Sequence, residues 1–443
     1  MEFNILDFGA KEGGNENCAL AIQAAVDAAS VAGGRVIIPA GRWLSGSFLL
    51  KSNTELYLAD GAELISSLRP EDIMAFPCEK DGDAVDGWNG GFFLGARDAH
   101  DISITGHGVI NGQGKNVFYD ADIDNGFHEC PMRVEEFRPR LMLFENIDCL
   151  RISGITLRDA AFWSLHMAGC RHVRIQRINI FNNDRGANND GIDPDCCRDV
   201  IISDCFVETG DDAIVLKSTA PMNARYGACE NILIRNCILH SRDSAIKIGS
   251  ETHGIIRNVI VSDCIARDCS RGIGIWMRDG GCIENITVHH FSGAVRRYAD
   301  AYQLPDAPGW WGKGEPVFIS ATHRKGHAAD MPGIIRNICL SDFNMKCESS
   351  IFIGGEANSV IEDVHLSGFH LCFARQGTQL GGLFDEQPSE RHVYPHSIPA
   401  LYARFADGLQ LKDSTVRFTG ENEAWNGTLT ETEDCGKVEI SWN

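Results

Sequence analysis

Short β-branched segments recur through the middle of this chain, each alternating apolar and polar residues and most led by Asn, Asp or His. "CLRISGI", "HVRIQRI", "DVIISDC", "NILIRNC", "NVIVSDC", "NITVHHF", "NICLSDF" and "DVHLSGF" start their apolar runs at Leu150, Val173, Val200, Ile232, Val259, Ile286, Ile338 and Val364. Successive starts lie 23, 27, 32, 27, 27, 52 and 26 residues apart. A repeat of this length is the mark of a solenoid. The gap of 52 fits one coil with a long insertion or two coils.

Five residues beyond each start stands Ile155, Ile178, Cys205, Cys237, Cys264, Phe291, Phe343 or Phe369. These are apolar or small and sulfur-bearing, as an inward-facing stack requires when rungs lie about 4.8 Å apart. Asn231, Asn258, Asn285 and Asn337 precede the strand and read as turn residues. The pattern predicts an all-β fold, a single right-handed parallel β-helix over 1–443. An N-terminal cap spans about 1–35, the site-bearing coils about 150–290, and further coils run to 443. Only the N-terminus reads as helical: "ENCALAIQAAVDAAS" sets Leu20, Ile22, Ala25, Val26 and Ala29 mostly on one face, a plug for the open first coil. The glycines of "GHGVING" and "GQG" (106–114) read as turns, because no helix pattern follows them.

Each coil carries a second strand: "SLHMAG", "GIDPDC", "AIVLKS", "AIKIGS" and "GIGIWM". With Leu165, Ile192, Ile214, Ile246 and Ile273 in register and facing inward, period two turns the alternate residues outward. One outward column is His166, Asp193, Val215, Lys247, Gly274; the next is Ala168, Asp195, Lys217, Gly249, Trp276. Asp190 then stacks near Asp212, with Asp211 beside it. The expected result is a groove lined by acids, His166, two lysines and a Trp276 platform suited to a sugar ring.

Composition narrows the partners. The 443 residues are 44% hydrophobic and 23% charged, an ordinary globular balance. Length alone would suggest two or three domains, but the repeat argues for one. A net charge of −21 disfavours nucleic acid and anionic membranes. No apolar run approaches the ~18 residues of a membrane span. The 17 cysteines show no zinc-site spacing and no small disulfide framework, and the repeat accounts for Cys205, Cys237 and Cys264 as core fillers. Met1 runs straight into "FNILDFGA" with no leader pattern, so a native start there implies a cytoplasmic protein, and a longer precursor would imply a secreted one.

Crowded carboxylates in "NNDGIDPDCC" (188–197) and "GDDAIVLKS" (210–218) repel one another and raise one another's pKa. They suit hydrolysis of a glycosidic bond, in which one carboxyl protonates the leaving oxygen and another activates water. Neighbouring coils offer separations that leave room for that water. A calcium site or a solvated turn would show the same spacing.

"NNDGIDP", "TGDDAIVLKS" and "IGSE", in this order on a β-helix, resemble the polygalacturonases, glycoside hydrolase family 28. "DFGA…AIQAAVDAA…GGRVIIPAG" from Asp7, "WSLH", "ITGHGVINGQG" and "WWGKGEP" are similar to segments of its bacterial members, so the resemblance spans nearly the whole chain. It implies an inverting glycosidase with no metal and no cofactor. Asp211 would be the general acid, and Asp190 and Asp212 would hold and activate water. Asn188 and Lys217 come over with the motifs as substrate-binding residues. Two departures stand out: "RDSAIKIGSE" has Asp243 and Ser244 where the family carries a histidine, and Gly274 and Trp276 replace the arginine and lysine that grip a galacturonate carboxylate. Substrate contacts are therefore expected from His166, Lys247, Arg271, Trp276 and Arg278 as well. The substrate implied is a pectic oligosaccharide yielding galacturonate or a neutral sugar such as rhamnose; the oligomeric state is not legible. A calcium-dependent β-helix lyase and a non-catalytic carbohydrate-binding solenoid are the alternatives. Two insertions, after Gly114 and between the Ile286 and Ile338 coils, hold His128, Arg133, Arg138, Trp310, Trp311 and Lys313, a mix suited to closing one end of a groove and to end-wise action.

Overall fold

The computed structural model describes residues 1–76, 90–120, 130–298, 311–327, 330–377, 379, 381–420, 424–425 and 427–443. Parallel strands stack into one right-handed β-helix. The register of the first strand set follows the repeat: Val173, Val200, Ile232, Val259, Ile286, Ile338 and Val364 pair in succession. Ile286 pairs directly with Ile338, so the gap of 52 is one coil with an insertion. The ladder also extends beyond the repeat read from sequence. Upstream, Leu150 pairs with Ile102 and Ile102 with Thr54; downstream, His365 pairs with Gln410 and Gln410 with Glu439.

The inward column is buried throughout. Phe343 stacks on Phe369 at 4.5 Å between centroids and on Phe291 at 5.4 Å, the offset contact that aromatic pairs favour. Cys205, Cys237 and Cys264 lie one above another, each thiol donating at 3.2 Å to the carbonyl two residues earlier. All cysteines among the described residues are free thiols. The turn asparagines form a ladder of their own: Asn337, Asn285 and Asn258 each donate to the Asn one coil back, and Asn231 donates to Asp199. All four sit at φ between 54° and 60°, the left-handed region that Asn tolerates.

Helix α1 (Ala19–Ala32) covers the N-terminal end and buries Ile22, Ala25, Val26 and Ala29. Leu20 departs from the expectation and is 88% exposed. Two residues before Ile22 is about 200° around the helix, which puts it on the far face. A second helix, α2 (Ala220–Tyr226), also departs from the reading that only the N-terminus is helical. It has seven residues, too short for an apolar period to show, and buries only Met222. Of the 106–114 glycines, Gly106 ends a 15-residue strand rather than forming a turn, Gly108 and Gly112 lie in the links on either side of the strand Val109–Asn111, and Gly114 opens a 3₁₀ turn.

Candidate active site

The second strand set has the predicted register except at Gly249: past Leu216 the register shifts and Ser218 pairs with Thr252, so the expected step from Lys217 to Gly249 is lost at a bulge. Leu165, Ile192, Ile214, Ile246 and Ile273 pair in order, and His166 with Asp193, Val215 with Lys247, Lys247 with Gly274 and Asp195 with Lys217 follow from it. The five apolar residues point into the core. Their alternates point to the opposite side, where an open cavity of about 330 Å³ lies across the coils.

Asp190, Asp211 and Asp212 meet at its floor, with one carboxylate oxygen from each within 4.8 Å of the others. Backbone turns hold them there. Asn189, fully buried, accepts from the N–H of Gly210 and of Asp211, and its amide donates to Asn183 O, so the turn before one aspartate is tied to the turn before the next. Asp211 accepts from the N–H of Asn188 (2.9 Å) and of Asp212 (3.0 Å). Asn188, at φ 55°, is held by the Arg138 guanidinium (3.1 Å).

Two ammonium groups divide the negative charge. Lys217 Nζ lies 3.5 Å from Asp190, 3.7 Å from Asp193 and 3.4 Å from Glu251, with the Trp163 ring centroid at 4.2 Å. Lys247 Nζ lies 2.7 Å from Asp212 Oδ2, between the rings of Trp276 (4.8 Å) and Trp311 (5.4 Å). Burial pushes Asp190 well above the usual carboxylate range, and Asp211 and Asp193 add to it. Burial likewise raises Asp212 against the pull of Lys247, and lifts Asp193 to about 8. Burial would lower Lys217, but Glu251, Asp190 and Asp193 hold its ammonium well above its ordinary value. Glu251, although burial opposes its charge, is drawn down to about 2 by Lys217 and Arg324.

Of the residues predicted for the site, Asp190, Asp211, Asp212, Asn188, Lys217 and Lys247 line the cavity. His166, Trp276, Arg271 and Arg278 do not. His166 is fully buried under Trp163, whose ring meets it edge-on at 4.8 Å. Its Nδ1 accepts from Arg140, and burial drops its pKa to about 4, so it is a neutral support for Trp163 rather than a groove residue. Trp276 is buried too. Its ring folds back over its own strand, where a Cβ on Gly274 would come within 2.1 Å of it. Gly274 and Trp276 are thus one coupled departure. Trp163 and Trp311, rather than Trp276, line the cavity. Arg271 and Arg278 are turned to backbone carbonyls of residues 385–388. Of the insertion residues, Trp311 lines the cavity, Arg138 supports Asn188, Lys313 is buried against Asp385, and Arg133 is exposed. His128 and Trp310 lie outside the described residues.

Asp243, Ser250, Glu251, Arg324 and Pro388 also line the cavity and were not singled out by sequence as contacts. Glu251 had a signal in "IGSE". Arg324 and Pro388 had none, because they come from distant loops.

Comparison with known proteins follows this geometry. A probable polygalacturonase from Vitis vinifera is 32% identical over 269 residues, 57% of this chain and 52% of its own. A probable polygalacturonase from Arabidopsis thaliana is 31% identical over 121 residues, 27% of this chain and 24% of its own. The chain thus spans about half or less of the length of these relatives. In fold it resembles the family 28 exopolygalacturonase of Yersinia enterocolitica, with a TM-score of 0.75 and 18% identity over 99% of this chain and 78% of that one. It also resembles the hyperthermoactive exopolygalacturonase of Thermotoga maritima, with a TM-score of 0.62 and 22% identity over 96% and 93% of the two chains. The sequence model described as glycosyl hydrolases family 28 matches residues 60–293, more than half of the chain and all three floor aspartates, and the chain belongs to that family.

Proposed function

We propose that this protein hydrolyses a glycosidic bond at one end of a pectic oligosaccharide, with inversion at the anomeric carbon, releasing galacturonate or a neutral sugar such as rhamnose. The observation that carries this reading is the meeting of Asp190, Asp211 and Asp212 within 4.8 Å on the floor of a cavity flanked by Trp163 and Trp311. Asp211 is the least buried of the three and takes the role of general acid. Asp190 and Asp212 hold the water. Two acceptors sharing a water at ~2.8 Å each stand about 4.5 Å apart, which matches the spacing of these oxygens. Inverting carboxyl pairs usually stand about 6.5–9.5 Å apart, so inversion here depends on a water seated between close acceptors. The water oxygen attacks the anomeric carbon while a proton passes to the holding carboxylates. The C–O bond breaks with its electron pair going to the leaving oxygen, which takes the proton of Asp211.

A calcium-dependent lyase fits less well. The ammonium groups of Lys217 and Lys247 already sit at 3.5 Å from Asp190 and 2.7 Å from Asp212, and a dication in the same cluster would be repelled. The thiol column, with each Sγ bonded to a carbonyl, is in keeping with a reducing compartment. We therefore favour a cytoplasmic enzyme that meets oligosaccharides already cut and imported. The test is digestion of pectic polymers and oligosaccharides with products identified by mass and by anomeric NMR. Release of one sugar per event, little viscosity loss in polymer, an inverted first product and indifference to chelator are expected. A ladder of mid-length products with rapid viscosity loss would refute end-wise action, and unsaturated products would refute hydrolysis.

A further inference from the structure

Three long side chains of the strand Arg271–Met277 and its exit grip the backbone of a segment more than a hundred residues away. Arg271 Nη2 donates to Asp385 O (2.7 Å), Trp276 Nε1 to Gln387 O (3.2 Å), and Arg278 to both Glu386 O and Pro388 O (3.0 Å each). The segment is anchored from its other side as well. Lys313 pairs with Asp385 at 3.0 Å, and Arg404 holds Glu386 with two 3.0 Å hydrogen bonds. Asp385 and Glu386 are completely buried, and Pro388 lies on the cavity lining. The segment is a fixed wall across the coil next to the aspartates.

This wall changes what the cavity can recognise. Arg271 and Arg278 are sealed from solvent. Among the described residues, the three cations that line the cavity each face a protein carboxylate: Lys217 faces Asp190, Asp193 and Glu251, Lys247 faces Asp212, and Arg324 takes Asp279 through both its Nε and Nη2. A substrate carboxylate would have to compete with buried internal partners and would meet Glu251 as a like charge. A sugar bearing only hydroxyl and methyl groups meets neither cost, and Trp163 and Trp311 add ring edges to the lining.

We propose that residues 385–388 form the specificity wall of the cavity and that the sugar unit removed is uncharged. This rests on the glycosidase reading above. The test compares, for the wild-type protein, release of a terminal 6-deoxyhexose from a galacturonate-containing oligosaccharide with release of galacturonate from di- and trigalacturonate. The expected kcat/KM ratio favours the neutral end by about tenfold or more. Equal or faster release of galacturonate would overturn the proposal and leave hydrolysis standing. Turnover of neither substrate, nor of any other in a pectic panel, would sink the glycosidase reading and this proposal with it. Arg278→Gln, which loosens the wall, should shrink the preference, and Trp276→Phe, which keeps the ring but loses the donor to Gln387, serves if the first does not fold. An unchanged ratio in a folded variant would remove the wall from specificity.

Discussion

Lys247 Nζ lies 2.7 Å from Asp212 Oδ2, on adjacent coils, with both side chains almost wholly buried. Lys247 offsets part of the burial that raises Asp212, and in the proposed mechanism this favours the carboxylate form that would hold the water. Lys247→Met removes that counter-charge, so Asp212 holds its proton to higher pH. The acid limb of the pH–rate profile should move upward, and activity at pH 5 should fall about tenfold or more. A profile unchanged in shape would show that Asp212 does not titrate in the reaction.

Asp211→Asn keeps the shape of the side chain and can still accept from the N–H of Asn188, but its amide nitrogen cannot accept from the N–H of Asp212. It also loses the proton delivered to the leaving oxygen. We expect kcat to fall by about 10²-fold or more, with an unchanged circular dichroism spectrum and a melting temperature lowered by a few degrees at most. Activity within a few-fold of wild type would exclude Asp211 as the acid.

Asp193 pairs with His166 in the strand ladder and is fully buried beside Asp190. Burial holds its folded pKa at about 8 against an ordinary 3.8. A group raised on folding contributes stability that is complete below about pH 4 and is lost as pH rises through 8. The melting temperature should therefore decline between pH 5 and pH 8.5, and Asp193→Asn should flatten that decline. An equal slope in wild type and variant would show that Asp193 is ionised in the fold.

Cys237 sits between Cys205 and Cys264 in the inward column. Cys237→Ala leaves a small void there and should cost roughly 1 kcal/mol or more, read as a lower denaturation midpoint. Mass analysis under non-reducing conditions should find no link between Cys205 and Cys237. Either an unchanged midpoint or such a link would contradict the packed-thiol column.

What the sequence made legible was whatever the stacking repeats. Leu165, Ile192, Ile214, Ile246 and Ile273 could be aligned because each coil imposes the same constraint on the next, and the three aspartates followed from that alignment. The outer coils around Ile102 and Gln410 were expected within the solenoid but could not be aligned, because their spacing drifts with loop length. His166 and Trp276 were misplaced for a different reason. Period two says which side of the strand a residue leaves from, but not what covers it afterwards. Trp163 and residues 385–388 supply that cover from outside the strand, and no local pattern announces it.

The direct pairing of Ile286 with Ile338 has a wider consequence. The stack counts rungs, not residues, and advances by about 4.8 Å whether a turn of chain is short or long. Lengthening an excursion costs only about 0.6 kcal/mol per doubling. Loops such as the one bearing Pro388 can therefore be lengthened, shortened or exchanged while the aspartate floor stays in place. In such a scaffold the floor and the walls of the cavity are free to vary independently.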